Sequence, residues 1–170
     1  MPHKPTRILG LDPGFARTGY AVLESDGRSF RVLTFGCVET ASSEPYPVRL
    51  RQLNDQLGAL IAEFTPAVAA LEKLFFQKNV KTAIAVGQAR GVIILLLERH
   101  NLATYEFTPQ EVKIAATGYG NAEKQQVQRM VQLLLRLATP PTPDDAADAL
   151  AVALAAAERH RAVLASNPKA

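Results

Sequence analysis

Two short apolar runs, each ended by a carboxylate, constrain this chain more than any other feature. Ile8-Leu9-Gly10-Leu11 runs into Asp12, and Ala67-Val68-Ala69-Ala70-Leu71 runs into Glu72. Neither run alternates with polar residues, so each suits a central strand buried on both faces. Between them Leu50, Leu53, Leu57, Leu60, Ile61 and Phe64 recur every three or four residues, the period of an amphipathic helix, which Thr65-Pro66 ends. Strand, crossover helix and strand predict a parallel pair lying side by side, and both acids then reach one edge of a sheet. Pro13-Gly14 stops the first strand, with Gly14 supplying either a turn of positive φ or room for a ligand to approach. Taken alone, Asp12 also fits an ordinary turn and Glu72 a surface strand end.

The remaining elements follow from the same patterns. Tyr20 to Leu23 reads as a second strand, and Asp26-Gly27 as a hairpin turn. Phe30 to Val38 alternates as a third, with Phe30, Val32 and Val38 on one face and Leu33, Phe35 and Cys37 on the other. Val80 to His100 reads as one long helix in which Gly87 and Gly91 line a face that another helix can approach closely. Its Val92–Leu97 stretch is apolar all round, which signals burial in a core or in a subunit interface. Ala103 to Phe107 is a fifth strand, and Thr108-Pro109-Gln110-Glu111 a capping box opening a short helix. Asn121 is placed to cap the next helix, whose apolar face is Val127, Met130 or Val131, Leu134 and Leu137. Thr142-Pro143-Asp144-Asp145 opens an alanine-rich helix from Ala146 to about Leu164.

The 170 residues are enough for one domain with a real core, and we expect a single domain with flexible ends at 1–6 and 166–170. Cys37 is the only cysteine, which removes any intramolecular disulfide and any Cys/His zinc spacing and points to a reducing, cytoplasmic setting. The N-terminus lacks the apolar core of a signal peptide, and the longest apolar run falls far short of a membrane span. Net charge is +3. If four of the 16 acidic residues share one site, the rest of the surface is more basic than that figure implies and suits a polyanion.

Such a site is legible. Asp145 and Asp148 lie three residues apart on one face of the last helix, where like charges destabilise. Asp145 and its neighbour Asp144 are ordinary first-turn acids, but Asp148 lies beyond the first turn in a largely buried helix. A carboxylate there must be protonated, paired or bound to a cation. Asp12, Glu72, Asp145 and Asp148, with no His or Cys among them, form an all-oxygen set that selects Mg²⁺ or Mn²⁺ over zinc. Two such ions can hold both sides of a phosphodiester. Phe75, in Lys73-Leu-Phe-Phe-Gln-Lys78, and the lysines Lys113 and Lys124 are candidates for contact with a nucleic acid.

The successive segments Leu9-Gly-Leu-Asp-Pro-Gly-Phe-Ala-Arg-Thr-Gly-Tyr20, Leu71-Glu-Lys-Leu-Phe-Phe-Gln-Lys-Asn79, Gly87-Gln-Ala-Arg-Gly91, Ala122-Glu-Lys-Gln-Gln-Val127 and Asp145-Ala-Ala-Asp-Ala-Leu150 resemble, in order, the signatures of the RuvC family of bacterial Holliday junction resolvases. The resemblance runs from about Arg7 to Arg159. It implies an α/β, ribonuclease-H-like fold with a mixed five-stranded sheet flanked by helices, a homodimer, and Mg²⁺-dependent paired nicking of two like-polarity strands at a four-way DNA junction. By motif position it makes Asp12, Glu72, Asp145 and Asp148 the catalytic, metal-binding acids. It gives Phe75 to the opened junction centre and Lys113 and Lys124 to the cleaved strand. Some members carry His at the Asp145 position. RuvA and RuvB, the branch-migration proteins, are the partners it implies. The first loop also resembles the phosphate loop of actin-like ATPases, but those need a duplicated half and a further Gly-rich motif. A junction-binding module without catalysis, and a nuclease of RNA or RNA–DNA hybrids on the same fold, are the other readings.

Overall fold

A computed structural model describes residues 5–14, 16–73 and 80–166. The strands are β1 (Thr6–Asp12), β2 (Arg17–Ser25), β3 (Phe30–Glu39), β4 (Val68–Glu72) and β5 (Ala103–Phe107). The helices are α1 (Tyr46–Phe64), α2 (Val80–Arg99), α3 (Pro109–Thr117), α4 (Lys124–Leu134) and α5 (Asp144–Ser166). The sheet runs β3-β2-β1-β4-β5 and is mixed: β1, β4 and β5 are parallel, while β2 runs antiparallel to both its neighbours. The expected crossover is therefore present. Leu11 lies beside Leu71 in the β1–β4 register, so Asp12 and Glu72 occupy the next step on a shared face.

Two cores flank the sheet. On one face Leu9, Leu11, Val22 and Leu71 pack against Leu53, Leu57 and Ile61 of α1 and Ile93 and Leu97 of α2. On the other, Ile8, Ala21, Leu23, Val68 and Ala70 meet α5, with α3 and α4 adding Val112, Val127 and Val131. This second contact is unusually close. A Cβ at Gly10 would fall 2.3 Å from the Ala149 carbonyl oxygen, and one at Gly19 would fall 1.9 Å from that of Asp145. Gly19 pairs with Asp12 across β1 and β2. The bare backbone of two strands and the alanine face of α5 thus bring the start of that helix directly onto the strand that ends in Asp12.

Several local expectations change. A bulge between Val22 and Leu23 of β2 pairs them with Thr34 and Val32 of β3, so Leu33 is an extra residue and the strand's alternation reverses there. Phe35 therefore packs on the same side as Phe30 and Val32, while Val38 faces the α1–α2 side. Gly14 does not adopt a positive φ, and its missing Cβ makes way for the Arg17 carbonyl of its own loop. Asn121 does not cap α4. The N-cap is Glu123, whose N–H donates to Gln126 Oε1 at 2.8 Å. The buried α4 face is Val127, Val131 and Leu135, each four residues after the last, while Leu134 stays exposed and Leu137, just beyond the helix, packs partly buried against the same core. The Thr108–Glu111 capping box forms as expected. In α2, Ile93 and Leu97 are buried, but Ile94 and Leu95 are 43% and 58% exposed, so the stretch is not buried all round within the chain. Thr6 already belongs to β1 and Ser166 ends α5.

The backbone contact yields a stability prediction. Gly10→Ala should lower the free energy of unfolding by about 1–3 kcal/mol, because the two nearest obstacles, the Ala149 carbonyl and the Ala153 N–H, are helix backbone that cannot swing aside. Gly58→Ala within α1, where a Cβ meets only Leu96 Cδ1 at 3.8 Å, should leave it unchanged or slightly raised. Urea unfolding of both variants checks this.

Candidate active site

Four carboxylates reach the edge of the sheet at which β1 and β4 end. Asp12 and Glu72 come from these strand ends, and Asp145 and Asp148 from the first two turns of α5. Glu72 and Asp148 line a cleft of about 280 Å³ together with Lys113 of α3 and Lys124 of α4. The structure thus brings both sequence-predicted lysines to the acids. Phe75 lies outside the described residues.

The electrostatics are dominated by burial and mutual repulsion. Burial, and after it the charges of Asp148, Glu72 and Asp145, together push the Asp12 carboxyl up to about 7, against only a partial opposing effect of Lys124. Glu72 is raised by burial and by Asp148, offset in part by Lys113 and Lys124. Asp148 is raised by burial even though Lys124 Nζ donates to its Oδ2 at 3.1 Å. Lys124 also reaches Asp144 at 3.3 Å. Burial opposes its charge, but these two acids hold its own pKa above the usual lysine value.

Arg17 is a site residue that sequence patterns do not mark. From the first position of β2 it pairs with Glu39 at 2.9 Å and donates from Nη1 to Asp145 Oδ2 at 3.4 Å. A cation beside Asp145 is visible only once β2 is laid against α5. Thr18, almost fully buried, closes the loop after Asp12 by donating to the Gly14 carbonyl at 3.3 Å.

Among the described residues no three of His, Cys, Asp and Glu stand close enough together to hold a metal ion as the side chains lie. Lys124 lies between Asp144 and Asp148, and Arg17 draws Asp145 toward Glu39. The donor chemistry nevertheless fits a hard divalent cation: all the acids offer oxygen, and Asp12 is half-buried among like charges that a cation would neutralise.

A mixed sheet in this order, with acids from two adjacent parallel strand ends and the covering helix, defines a nuclease of the ribonuclease-H-like class. The family model for crossover junction endodeoxyribonuclease RuvC matches residues 8–156, and the chain belongs to that family. Two RuvC relatives are from Petrotoga mobilis, 53% identical over 146 residues (86% of this chain, 90% of the relative), and Caldicellulosiruptor saccharolyticus, 52% identical over 149 residues (87% and 90%). The fold is similar to that of Thermus thermophilus RuvC in complex with Holliday junction substrate, with TM-score 0.88, 31% identity and coverage of 93% of this chain and 96% of that one. A yeast mitochondrial Holliday junction resolvase shares the fold at TM-score 0.68 and 16% identity, covering 95% of this chain and 81% of that one.

The raised Asp12 carboxyl has a consequence for stability. Its ordinary value is 3.8, so between about pH 4 and 7 the folded, metal-free protein binds a proton that the unfolded chain has released. The contribution is full below pH 4, declines as pH rises through 7 and is absent above. Urea unfolding in EDTA should therefore show the wild type less stable at pH 8 than at pH 5, with a smaller fall in Asp12→Asn.

Proposed function

We propose that this crossover junction endodeoxyribonuclease resolves four-way DNA junctions by paired nicking of two strands of like polarity, as a homodimer, with Asp12, Glu72, Asp145 and Asp148 as its catalytic acids. The observation that supports this most is that Glu72 and Asp148 line one cleft with Lys113 and Lys124, while Asp12 lies near enough to Asp148, Glu72 and Asp145 for each to raise its carboxyl. The acids would hold Mg²⁺, two ions per site, with Mn²⁺ a substitute. When bound, the metal supplies an activated water and stabilises the leaving 3′ oxygen.

The chain's own groups do the rest. Lys113 and Lys124 place ammonium groups at the cleft, where the scissile phosphate is held. Lys124 has first to leave Asp148, exchanging one anion for another as the phosphate arrives. Arg17 restrains Asp145 at the margin, while the end of a central strand gives Asp12 a rigid mount. Phe75 is assigned to the junction centre by motif position alone.

For the homodimer, the supporting feature is the outer face of α2. Ile84, Ile94 and Leu95 are exposed there, and a Cβ at either Gly87 or Gly91 meets nothing within 4 Å. RuvA and RuvB, as partners, rest on family resemblance, and a cytoplasmic location on the single cysteine of the sequence. Among the described residues no helix is long and apolar enough to cross a membrane.

Asp12→Asn should abolish cleavage of a synthetic four-way junction in Mg²⁺ while leaving junction affinity unchanged, since it removes a negative charge and touches no basic group. Gel assays of cutting and binding on the junction, beside a linear duplex of the same arms, check this. Equal cutting of the two substrates would overturn the junction reading, and wild-type nicking by the variant the acid assignment. Sedimentation of Leu95→Glu, expected to shift from dimer to monomer, tests the α2 face.

A further inference from the structure

Arg90 belongs to the Gly87-Gln-Ala-Arg-Gly91 segment of α2, on the opposite side of the sheet from the acid cleft. Its side chain is only 12% exposed. Nη1 donates to the main-chain carbonyl of Glu72 at 2.9 Å, and Nη2 pairs with the Glu106 carboxylate. Glu106 stands beside Leu71 in the β4–β5 register and therefore faces α2. One guanidinium thus spans the last carbonyl of β4, a side chain of β5 and the α2 layer. A planar fork of this kind fixes direction as well as distance.

The place where it acts matters. Glu72 is the final residue of β4, beyond which Lys73 is tied to the sheet by its N–H donating to the Phe107 carbonyl at 2.7 Å. Glu72 has its carboxylate on the α5 side, lining the cleft with Lys113, Lys124 and Asp148. Its backbone therefore serves as the hinge about which that carboxylate is aimed, and Arg90 grips the hinge from behind. Other strong cations of the site act on carboxylates in front: Lys124 on Asp148 and Arg17 on Asp145.

We infer that Arg90 is a positioning residue for the cleavage reaction, holding the end of β4 so that the Glu72 carboxylate meets the other acids. This rests on the assignment of Glu72 as a catalytic acid. Arg90 touches neither the cleft nor the described cleft lysines, so its effect lies on rate and metal use rather than on junction affinity.

The test uses full-length Arg90→Gln, Glu106→Gln and Glu72→Gln with a synthetic four-way junction. Three quantities are read: the single-turnover rate at saturating junction across a Mg²⁺ series, junction affinity without metal, and the rise in melting temperature on adding Mg²⁺ to the free protein. Arg90→Gln should cut roughly 10- to 100-fold more slowly, need more Mg²⁺ for half its maximal rate and show a smaller Mg²⁺-induced rise, with unchanged affinity. Glu106→Gln, which keeps the arm to the Glu72 carbonyl, should move the same way by less. A wild-type rate and Mg²⁺ midpoint in Arg90→Gln, or a loss confined to junction affinity, overturns the inference. If Arg90→Gln does not melt cooperatively, Glu106→Gln decides, and a wild-type Mg²⁺ midpoint there overturns it. Glu72→Gln with wild-type cutting overturns the acid assignment itself, whereas an inactive Glu72→Gln beside a wild-type Arg90→Gln overturns only the role of Arg90.

Discussion

The structure depends on a helix laid on bare strand backbone. Gly10 and Gly19 remove the side chains that would separate β1 and β2 from α5, and α5 answers with alanine at 146, 147, 149, 151, 153 and 155–157, all buried. Alanine contributes little apolar area per residue, so the stabilisation of this layer comes mainly from Leu150, Leu154 and the flanking α3 and α4 residues. What the small residues provide is closeness. With the Asp145 carbonyl seated where a Gly19 side chain would be, the first turns of α5 have little freedom to slide, and Asp148 is held toward the end of β1. The opposite layer is built differently, with Leu and Ile side chains standing between helix and sheet.

That closeness has an electrostatic cost. A pair of like charges at 4 Å costs on the order of 4 kcal/mol at an effective dielectric near 20, and Asp12 is raised by three acidic neighbours as well as by burial. Lys124 and Arg17 offset part of the repulsion at Asp148 and Asp145, but these side chains are themselves partly exposed and can be displaced. The least compensated acid, Asp12, sits on the most rigid element. A site arranged this way is poised to take up cations, and its resting ion pairs define what must move when it does.

Much of this was legible in local patterns. The parallel β1–β4 pair followed from two unalternated apolar runs with a helical period between them, and Asp12 and Glu72 at one edge followed from that pairing. The capping box at Thr108 and Glu111 depends on residues three apart, which is why it could be read directly. Features that depend on a partner strand were not: the bulge that reverses β3 is a mismatch between two strands. The acidic Glu123, rather than the more usual Asn121, caps α4 because the chain closes one more turn first, its Ala122 N–H donating to the Tyr119 carbonyl.

The sequence by itself determined the fold class and the placement of Asp12 and Glu72 at one sheet edge, and an ordered run of motifs pointed to Asp145, Asp148 and the two cleft lysines, because each is written in a periodicity, a strand end or a motif of a few residues. Only the tertiary structure decided which cations oppose which acids. Arg17 meets Asp145 across 128 positions, Lys124 meets Asp148 across 24, and Arg90 meets the Glu72 carbonyl across 18. No local spacing encodes such pairs. They arise from the register of β1, β2 and β4 and from how closely α5 can lie on glycine, and both are properties of packed backbone rather than of neighbouring residues.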